Sequence, residues 1–372
     1  MQILKKTNLK AYEKAHNIGF KRVIELIKEK QVKGRGGAGF PTGDKWEMVA
    51  KTELGERYVI CNADEGEPGT FKDKFIIENN PEILIEGILI AAYAVGAEQC
   101  YIYLRGEYDY LKSKLEKVIK NILDKTKANT KIDIVLGAGA YVCGDETAIL
   151  SSIEGNRGQP RTKPPYPVTK GLFGKPTVIN NVETLANVSL ALLYDDYNPN
   201  LRLYSVSGNV SKPGVYELPL GTRLCDVIDK AEPKNKVKAV YFGCFGGCLP
   251  HCEIELTPEN ICGKECMLGA CTIIVVDEKH SIVDMATNIS KFYEFESCGK
   301  CTPCREGTMR ILAILQNISL GKAKLEDLNT LQDLCEVIKE TSFCGLGQTS
   351  VQHLITGLRY FRKEFEAKCK RN

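Results

Sequence analysis

The stretch Cys298-Gly299-Lys300-Cys301-Thr302-Pro303-Cys304-Arg305 sets three cysteines at two-residue spacing, and a fourth, Cys344, follows in Phe343-Cys344-Gly345. Gaps of two residues let three thiolates close around one corner of an iron–sulfur cube, and a distant cysteine completes a four-cysteine [4Fe–4S] site. A structural zinc site is the alternative. A zinc ribbon, however, pairs two separate C-x2-C knuckles, whereas three cysteines in a row follow the ferredoxin pattern. Helical periodicity at Ser290–Glu296, Thr308–Asn317, Leu325–Lys339 and Thr349–Phe365 surrounds the run. It predicts a helical domain over 285–372 in which the last three helices bundle and hold the cysteines at their ends.

Working back from this stretch, short apolar runs at Leu203–Val206, Val215–Glu217, Ala239–Phe242 and Thr272–Val276 read as strands around one helix near Asp226, an α+β domain over 201–284. This segment also holds Cys244, Cys248, Cys252, Cys262, Cys266 and Cys271, spaced C-x3-C-x3-C-x9-C-x3-C-x4-C. So many thiols exceed what a small core needs, and they predict a second metal site, iron–sulfur or zinc, with His251 as an added ligand. The plain alternative is buried thiols acting as small hydrophobes. Asp195 to Asn200 reads as a linker, and 1–200 forms a further domain. In it, apolar runs at Tyr58–Cys61, Cys100–Leu104 and Ile132–Leu136 alternate with helical patterns at Glu82–Val95 and Tyr108–Leu123, the pattern of an α/β sheet with parallel strands. Two more helices are expected, one with Phe20, Val23, Ile24 and Ile27 on a single face, the other after Asn181 with Val182, Leu185, Val188 and Leu192 inward.

The first of these helices runs into Gly34-Arg35-Gly36-Gly37-Ala38-Gly39-Phe40-Pro41-Thr42-Gly43. Without Cβ atoms, such a loop lets backbone N–H groups approach a phosphate closely. The preceding element is a helix rather than a strand, so a dinucleotide fingerprint does not apply. Lys45 can supply positive charge to a phosphate or a reduced flavin, or can be an ordinary surface lysine. Acidic loops follow two of the strands: Asn62-Ala63-Asp64-Glu65-Gly66-Glu67, and Gly137 to Thr147 with Asp145 and Glu146. Polar groups at the carboxyl ends of parallel strands are placed to meet a ligand, although many acidic turns are only solvated.

Composition excludes several classes. The net charge of +3 comes without a basic block, so nothing points to nucleic acid. The start Met1-Gln2-Ile3-Leu4-Lys5-Lys6 lacks a signal-peptide core, so the sixteen cysteines read as metal ligands in a reducing cytoplasm rather than as disulfides. The apolar stretch Ile83–Val95 carries Glu86 and is too short to span a membrane. The four histidines, His16, His251, His280 and His353, form no catalytic pattern, and His353 is expected on a helix at the surface or partly buried.

Together these segments, with Pro164–Tyr166 and Gly174–Thr184, closely resemble the NADH-binding flavoprotein subunit of respiratory complex I and its relatives in NAD-linked hydrogenases, formate dehydrogenases and bifurcating oxidoreductases. The resemblance implies an α/β domain for FMN and NADH, a β-grasp-like domain and a helical [4Fe–4S] domain. It implies that Gly34, Arg35, Gly36, Gly37 and Gly39, with Lys45, Asn62, Asp64, Asn180 and Asn181, hold FMN. It implies that Phe40, Glu65, Asp145 and Glu146 face the pyridine nucleotide, with Tyr166 where a phenylalanine is usual, and that Cys298, Cys301, Cys304 and Cys344 bind the cluster. Glu65 is then the catalytic candidate, fixing the nicotinamide or tuning flavin charge. NAD(H) would exchange a hydride with FMN, and electrons would leave singly through the cluster.

The sequence departs from the family in having Asp145-Glu146 where two glutamates are common, and in the cysteines around Cys248. NADH is still expected over NADPH. Neither a thioredoxin-like nor a ferredoxin extension is seen, so electrons are expected to pass to other polypeptides: a thioredoxin-like [2Fe–2S] subunit and a larger catalytic subunit, in an assembly that could bifurcate electrons. The alternatives are a non-catalytic electron-relay or assembly subunit that keeps the fold, and a zinc-stapled regulatory domain.

Overall fold

Helices α1 (Lys10–Ile18), α2 (Phe20–Glu29) and α3 (Thr42–Ala50) lead into the first strand of a four-stranded sheet in the computed structural model, which describes residues 1–53 and 55–370. Strand β1 (Tyr58–Ala63) is followed by α4 (Lys72–Asn79) and α5 (Pro81–Val95), β2 (Gln99–Leu104) by α6 (Lys112–Thr126), and β3 (Lys131–Leu136) by α7 (Glu146–Ile153) and the short α8 (Pro167–Lys170). Strand β4 (Thr177–Asn181) then enters α9 (Val182–Leu193). The order is β3-β2-β1-β4 and each pairing is parallel, with Asn62 opposite Tyr103 on one side and Asn181 on the other. The chain therefore steps from β1 outward to β2 and β3, and returns to the other flank as β4. Such a reversal leaves a crevice at the carboxyl ends of β1 and β4.

Helices α5 and α9 pack against each other behind the sheet, and α5 buries every residue except Glu82 and Tyr93. The approach is close because position 87 is glycine: a Cβ there would lie 2.0 Å from the Leu185 carbonyl oxygen. Glu86, the acid in the apolar stretch, is buried and accepts the Tyr12 N–H at 3.0 Å and the Thr7 hydroxyl. Val23, Ile24 and Ile27 of α2 are buried as expected, whereas Phe20, at the first position of that helix, is half exposed. No helix among the described residues is long and apolar enough to cross a membrane.

The chain folds as two compact units, the first comprising Met1–Gly66 and Phe71–Leu201, the second Glu67–Thr70 and the chain from Arg202. The second unit contains β5 (Leu201–Gly208), β6 (Gly214–Pro219), α10 (Leu224–Lys230), β7 (Val237–Tyr241), β8 (Cys248–Leu249), the short α11 (Pro258–Cys262) and β9 (Thr272–Asp277), in a five-stranded mixed sheet of order β6-β5-β9-β7-β8. Beyond it lie α12 (Ile282–Glu296), α13 (Thr302–Ser319), α14 (Glu326–Thr341), the short α15 (Gly345–Thr349) and α16 (Gln352–Lys368). Period-two alternation along β7 serves two cores: Ala239 and Tyr241 join a core with Ile282, Val283, Ile311, Leu331 and Leu354, while Val240 and Phe242 join Leu224, Val227 and Ile228 of α10. Segments 201–284 and 285–372 thus share a core through one face of this sheet.

His353 sits in the first of these cores and is fully buried, not at the surface as the sequence suggests. Its Nε2 lies 3.0 Å from Ser290 Oγ, its ring stacks on Tyr293, and burial pulls its pKa down to about 3, so it is a neutral packing residue.

Candidate functional site

Asn62 stands at the carboxyl end of β1, and Asn180 and Asn181 at the carboxyl end of the neighbouring β4. Asn180 is buried, and its Oδ1 accepts the indole N–H of Trp46 at 2.8 Å. Asn62 donates to Gly144 O at 3.0 Å and accepts the Asp64 N–H at 3.1 Å, which ties the loop after β1 to the loop after β3. Asn181 caps α9 by accepting the Glu183 N–H at 3.0 Å.

Next to these asparagines, the glycine loop closes on itself through Gly34 N–H to Phe40 O at 2.8 Å. Gly37 and Gly39 take positive φ, 123° and 67°, which side chains rarely adopt. A Cβ on Gly36 would meet Asn181 Cβ at 3.4 Å, so the loop lies directly on the end of β4. Arg35 is buried; its N–H donates to Thr184 Oγ1 at 2.8 Å and its Nη2 to Pro199 O at 2.7 Å, while Nε and Nη1 have no hydrogen-bond partner. Lys45, on α3, points inward rather than into solvent, with Nζ 3.0 Å from Ile179 O and paired with Glu146. Phe40 and Tyr166 hold their rings outward, 44% and 56% exposed.

Two acids differ from expectation. Glu65 is buried: one oxygen accepts the Asp73 N–H at 2.8 Å, and the other the Lys74 N–H at 3.0 Å and the Tyr108 hydroxyl at 3.1 Å. It therefore caps α4. Burial, and then the charge of Asp73, push its pKa up to about 8. Asp145 places one oxygen on the Thr147 and Ala148 N–H groups, capping α7, and the other 3.5 Å from Lys163 Nζ, so its charge is already matched. Residues to which the sequence motifs assign no role complete the surroundings: Arg105 holds the Glu65 carbonyl at 2.6 Å, and Lys72, Asp73 and Glu183 form a buried ion cluster.

In the second unit, Cys301 is the N-cap of α13, Cys304 lies in its first turn, and Cys344 is the N-cap of α15. Cys304 is buried, and its thiol is pushed up to about 11, first by burial and then by Cys301, Cys344 and Cys298 around it. The Phe343 N–H points at Cys301 Sγ at 3.5 Å, and Ser297 Oγ lies 3.4 Å from Cys304 Sγ. A Cβ on Gly347 would sit 3.1 Å from Cys304 Cβ, so α15 reaches the cysteines only because that residue is glycine.

The other cysteine group is not gathered in this way. Cys244 and Cys248 belong to the core on one face of the sheet, Cys266 and Cys271 to the core on the other, and Cys262 is exposed. Cys252 instead neighbours Cys225, which stands outside the spaced group in the sequence and whose thiol donates to Cys252 O at 2.8 Å. Cys266 nevertheless comes close to Cys248, its Sγ 3.7 Å from the Cys248 carbonyl oxygen, so the second metal site expected among Cys244, Cys248, Cys252, Cys262, Cys266, Cys271 and His251 stays a proposal.

Known proteins match this chain along most of its length. The family described as the Nuo51 FMN-binding domain matches residues 27–190, the NADH-ubiquinone oxidoreductase-F iron-sulfur binding region matches 284–368, and an SLBB domain matches 203–231. The second F-subunit of the NADH-quinone oxidoreductase of Rhizobium meliloti (strain 1021) is 43% identical over 370 residues, covering 93% of this chain and 88% of its own length. The chain belongs to the NADH-quinone oxidoreductase-F family. The family member of Aquifex aeolicus (strain VF5) is likewise 43% identical, over 98% of this chain and 90% of its own. A chain of a solved NAD+-reducing [NiFe]-hydrogenase in the H2-reduced state superposes with a TM-score of 0.90 at 38% identity. The superposition covers 98% of this oxidoreductase-F chain and 65% of the hydrogenase chain.

The residues fit the two groups that the family's domains carry. A loop whose backbone turns through positive φ at Gly37 and Gly39, with no Cβ in the way, suits the phosphate of FMN. Four thiols without a nitrogen or oxygen ligand among them suit iron–sulfur.

Proposed function

We propose that this chain is the NAD(H)-oxidising or NAD-reducing flavoprotein subunit of a multi-subunit oxidoreductase. The observation that carries the reading is the convergence of Asn62, Asn180, Asn181, the glycine loop and Lys45 at the crevice between β1 and β4, in a chain that also groups Cys298, Cys301, Cys304 and Cys344. Gly34 to Gly39 and Arg35 would hold the FMN phosphate, and Asn62, Asp64, Asn180 and Asn181 would orient the ring system. Lys45, now paired with Glu146, would exchange that partner for the flavin. The outward rings of Phe40 and Tyr166 would stack on the pyridine nucleotide, with Asp145 and Glu146 near its hydroxyl groups. Glu65 would act from beneath, fixing α4 and the loop after β1. When bound, FMN takes two electrons as hydride and the [4Fe–4S] cluster takes them one at a time, so the subunit converts a two-electron donor into a one-electron source.

Electrons would pass on to a thioredoxin-like [2Fe–2S] subunit and a larger catalytic subunit. An anaerobic visible spectrum of the reconstituted chain tests the reading. Flavin bleaching and loss of iron–sulfur absorbance on adding NADH are expected. A flavin band unchanged by NADH would instead support the non-catalytic relay.

A further inference from the structure

Lys72 carries no assigned role in the motifs read from the sequence, yet it is the most deeply buried cation among the described residues. It opens α4 with its side chain 2% exposed, and its Nζ lies 2.7 Å from Asp73 Oδ1, 3.0 Å from Glu183 Oε2 and 3.3 Å from Asn181 Oδ1. Burial alone would lower a lysine pKa, but Asp73, Glu183 and Glu65 outweigh it and hold Lys72 well above the ordinary range, so it is charged.

The contacts continue from Lys72 to the glycine loop. Asn181 donates its Nδ2–H to Asp73 Oδ2 at 2.5 Å, while its Oδ1 accepts from Lys72 and from the Glu183 N–H. An asparagine amide is nearly symmetric in shape, but the two ends differ in hydrogen bonding. Turning it over would set an N–H2 group against the ammonium of Lys72 and an oxygen against the carboxylate of Asp73. The adjacent Lys72–Asp73 pair therefore fixes both the place and the sense of the Asn181 amide. Gly36 rests on the Cβ of that same residue, and the Arg35 N–H binds Thr184 three residues further on.

We infer that Lys72 is a positioning residue for the flavin site, holding Asn181 in the one orientation against which the glycine loop is shaped to receive FMN. This rests on the FMN reading above. Lys72 also neutralises buried carboxylates, and a buried charge left without its partner is strongly destabilising. The test must therefore separate positioning from folding.

The full chain is compared with Lys72→Met and with Lys72→Met/Glu183→Gln, in which one carboxylate is removed together with the lysine. FMN affinity is measured by quenching of flavin fluorescence, stability by the thermal midpoint, and integrity of the second unit by its iron–sulfur absorbance. Lys72→Met should lower the midpoint and weaken FMN at least tenfold. The double variant should recover most of the midpoint while FMN binding stays at least tenfold weaker. Wild-type affinity in the double variant, or in a destabilised single variant, would overturn the inference, because Lys72 would then only balance charge. A wild-type chain that binds no FMN would overturn the flavin reading itself and this inference with it.

Discussion

Replacing Gly87 by alanine sets two effects of opposite sign against each other. At an ordinary position inside a helix, alanine is favoured over glycine by about 1 kcal/mol, because glycine loses more backbone freedom on folding. Here the new Cβ would stand 2.0 Å from the Leu185 carbonyl oxygen and 2.7 Å from its carbon, well inside van der Waals contact. The obstacle is backbone of α9, which cannot rotate aside as a side-chain tip can, so α5 and α9 must separate. Overpacking of a close-packed interior costs about 1–3 kcal/mol, and a backbone clash belongs at or above the upper end of that range. The clash wins by about 2 kcal/mol, which lowers the melting temperature of a unit of this size by roughly 4–8 °C. Thermal unfolding of the full chain by circular dichroism, with flavin release as the signal for the first unit, measures this directly. Because α9 begins at the Asn181 cap, FMN should also be released earlier. A melting temperature equal to or above the wild type would refute the packing argument, since propensity would then have prevailed.

Other substitutions address the sites. Glu65 has a raised pKa of about 8, so between its ordinary value near 4.5 and that value the folded chain binds more protons than the unfolded one. Its contribution is fully present below the ordinary value and is lost as pH rises, with a slope approaching ~1.4 kcal/mol per pH unit. Denaturant titrations of Glu65→Gln should lack that component between pH 5 and 8, and an unchanged pH dependence would contradict the assignment. Cys301→Ser should remove cluster absorbance and iron while leaving FMN bound. Cys262→Ala should leave the iron content unchanged, because that side chain stands exposed; loss of iron would make the case for a second site. NADH should be preferred over NADPH by kcat/KM. Asp145→Asn, which keeps a capping side chain but removes the charge, should raise the NADPH-to-NADH ratio by about tenfold or less, because Lys163 already offsets part of that charge.

Period and spacing made much of this structure legible. Strands β1, β2 and β3 fall where the apolar runs at 58, 100 and 132 place them: the more buried β1 and β2 read as continuous runs, whereas the edge strand β3 is buried only at Ile132. Strand β4 shows in the sequence only as part of a motif. Thr177-Val178-Ile179-Asn180-Asn181 is short and ends in turn-formers, so local propensity hides a strand that its parallel neighbour specifies. Helix α12 starts at Ile282, eight residues before the periodic segment visible in the sequence, since Thr287, Asn288 and Ser290 interrupt the apolar pattern. The cluster cysteines were legible because their ligand spacing is local. The direction of Glu65, the partners of Asp145 and the burial of Lys72 were not, because each depends on helices brought together from distant parts of the chain. Cysteine density left the ligands of a second site open for the same reason: spacing along the chain does not tell which face of a sheet receives each thiol.

One short stretch limits how this protein can be divided. Glu67–Thr70 belongs to the second unit, while the residues on either side belong to the first. Glu67 accepts the Cys244 N–H at 2.9 Å, and Thr70 meets Thr272. No single cut therefore yields two intact pieces. A fragment ending near residue 200 would carry four residues stripped of their partners, and its complement would lack the carboxylate that receives Cys244. Gene fusion, domain exchange or proteolytic trimming at the apparent linker would break both halves at once, so the two units are expected to be inherited and engineered together.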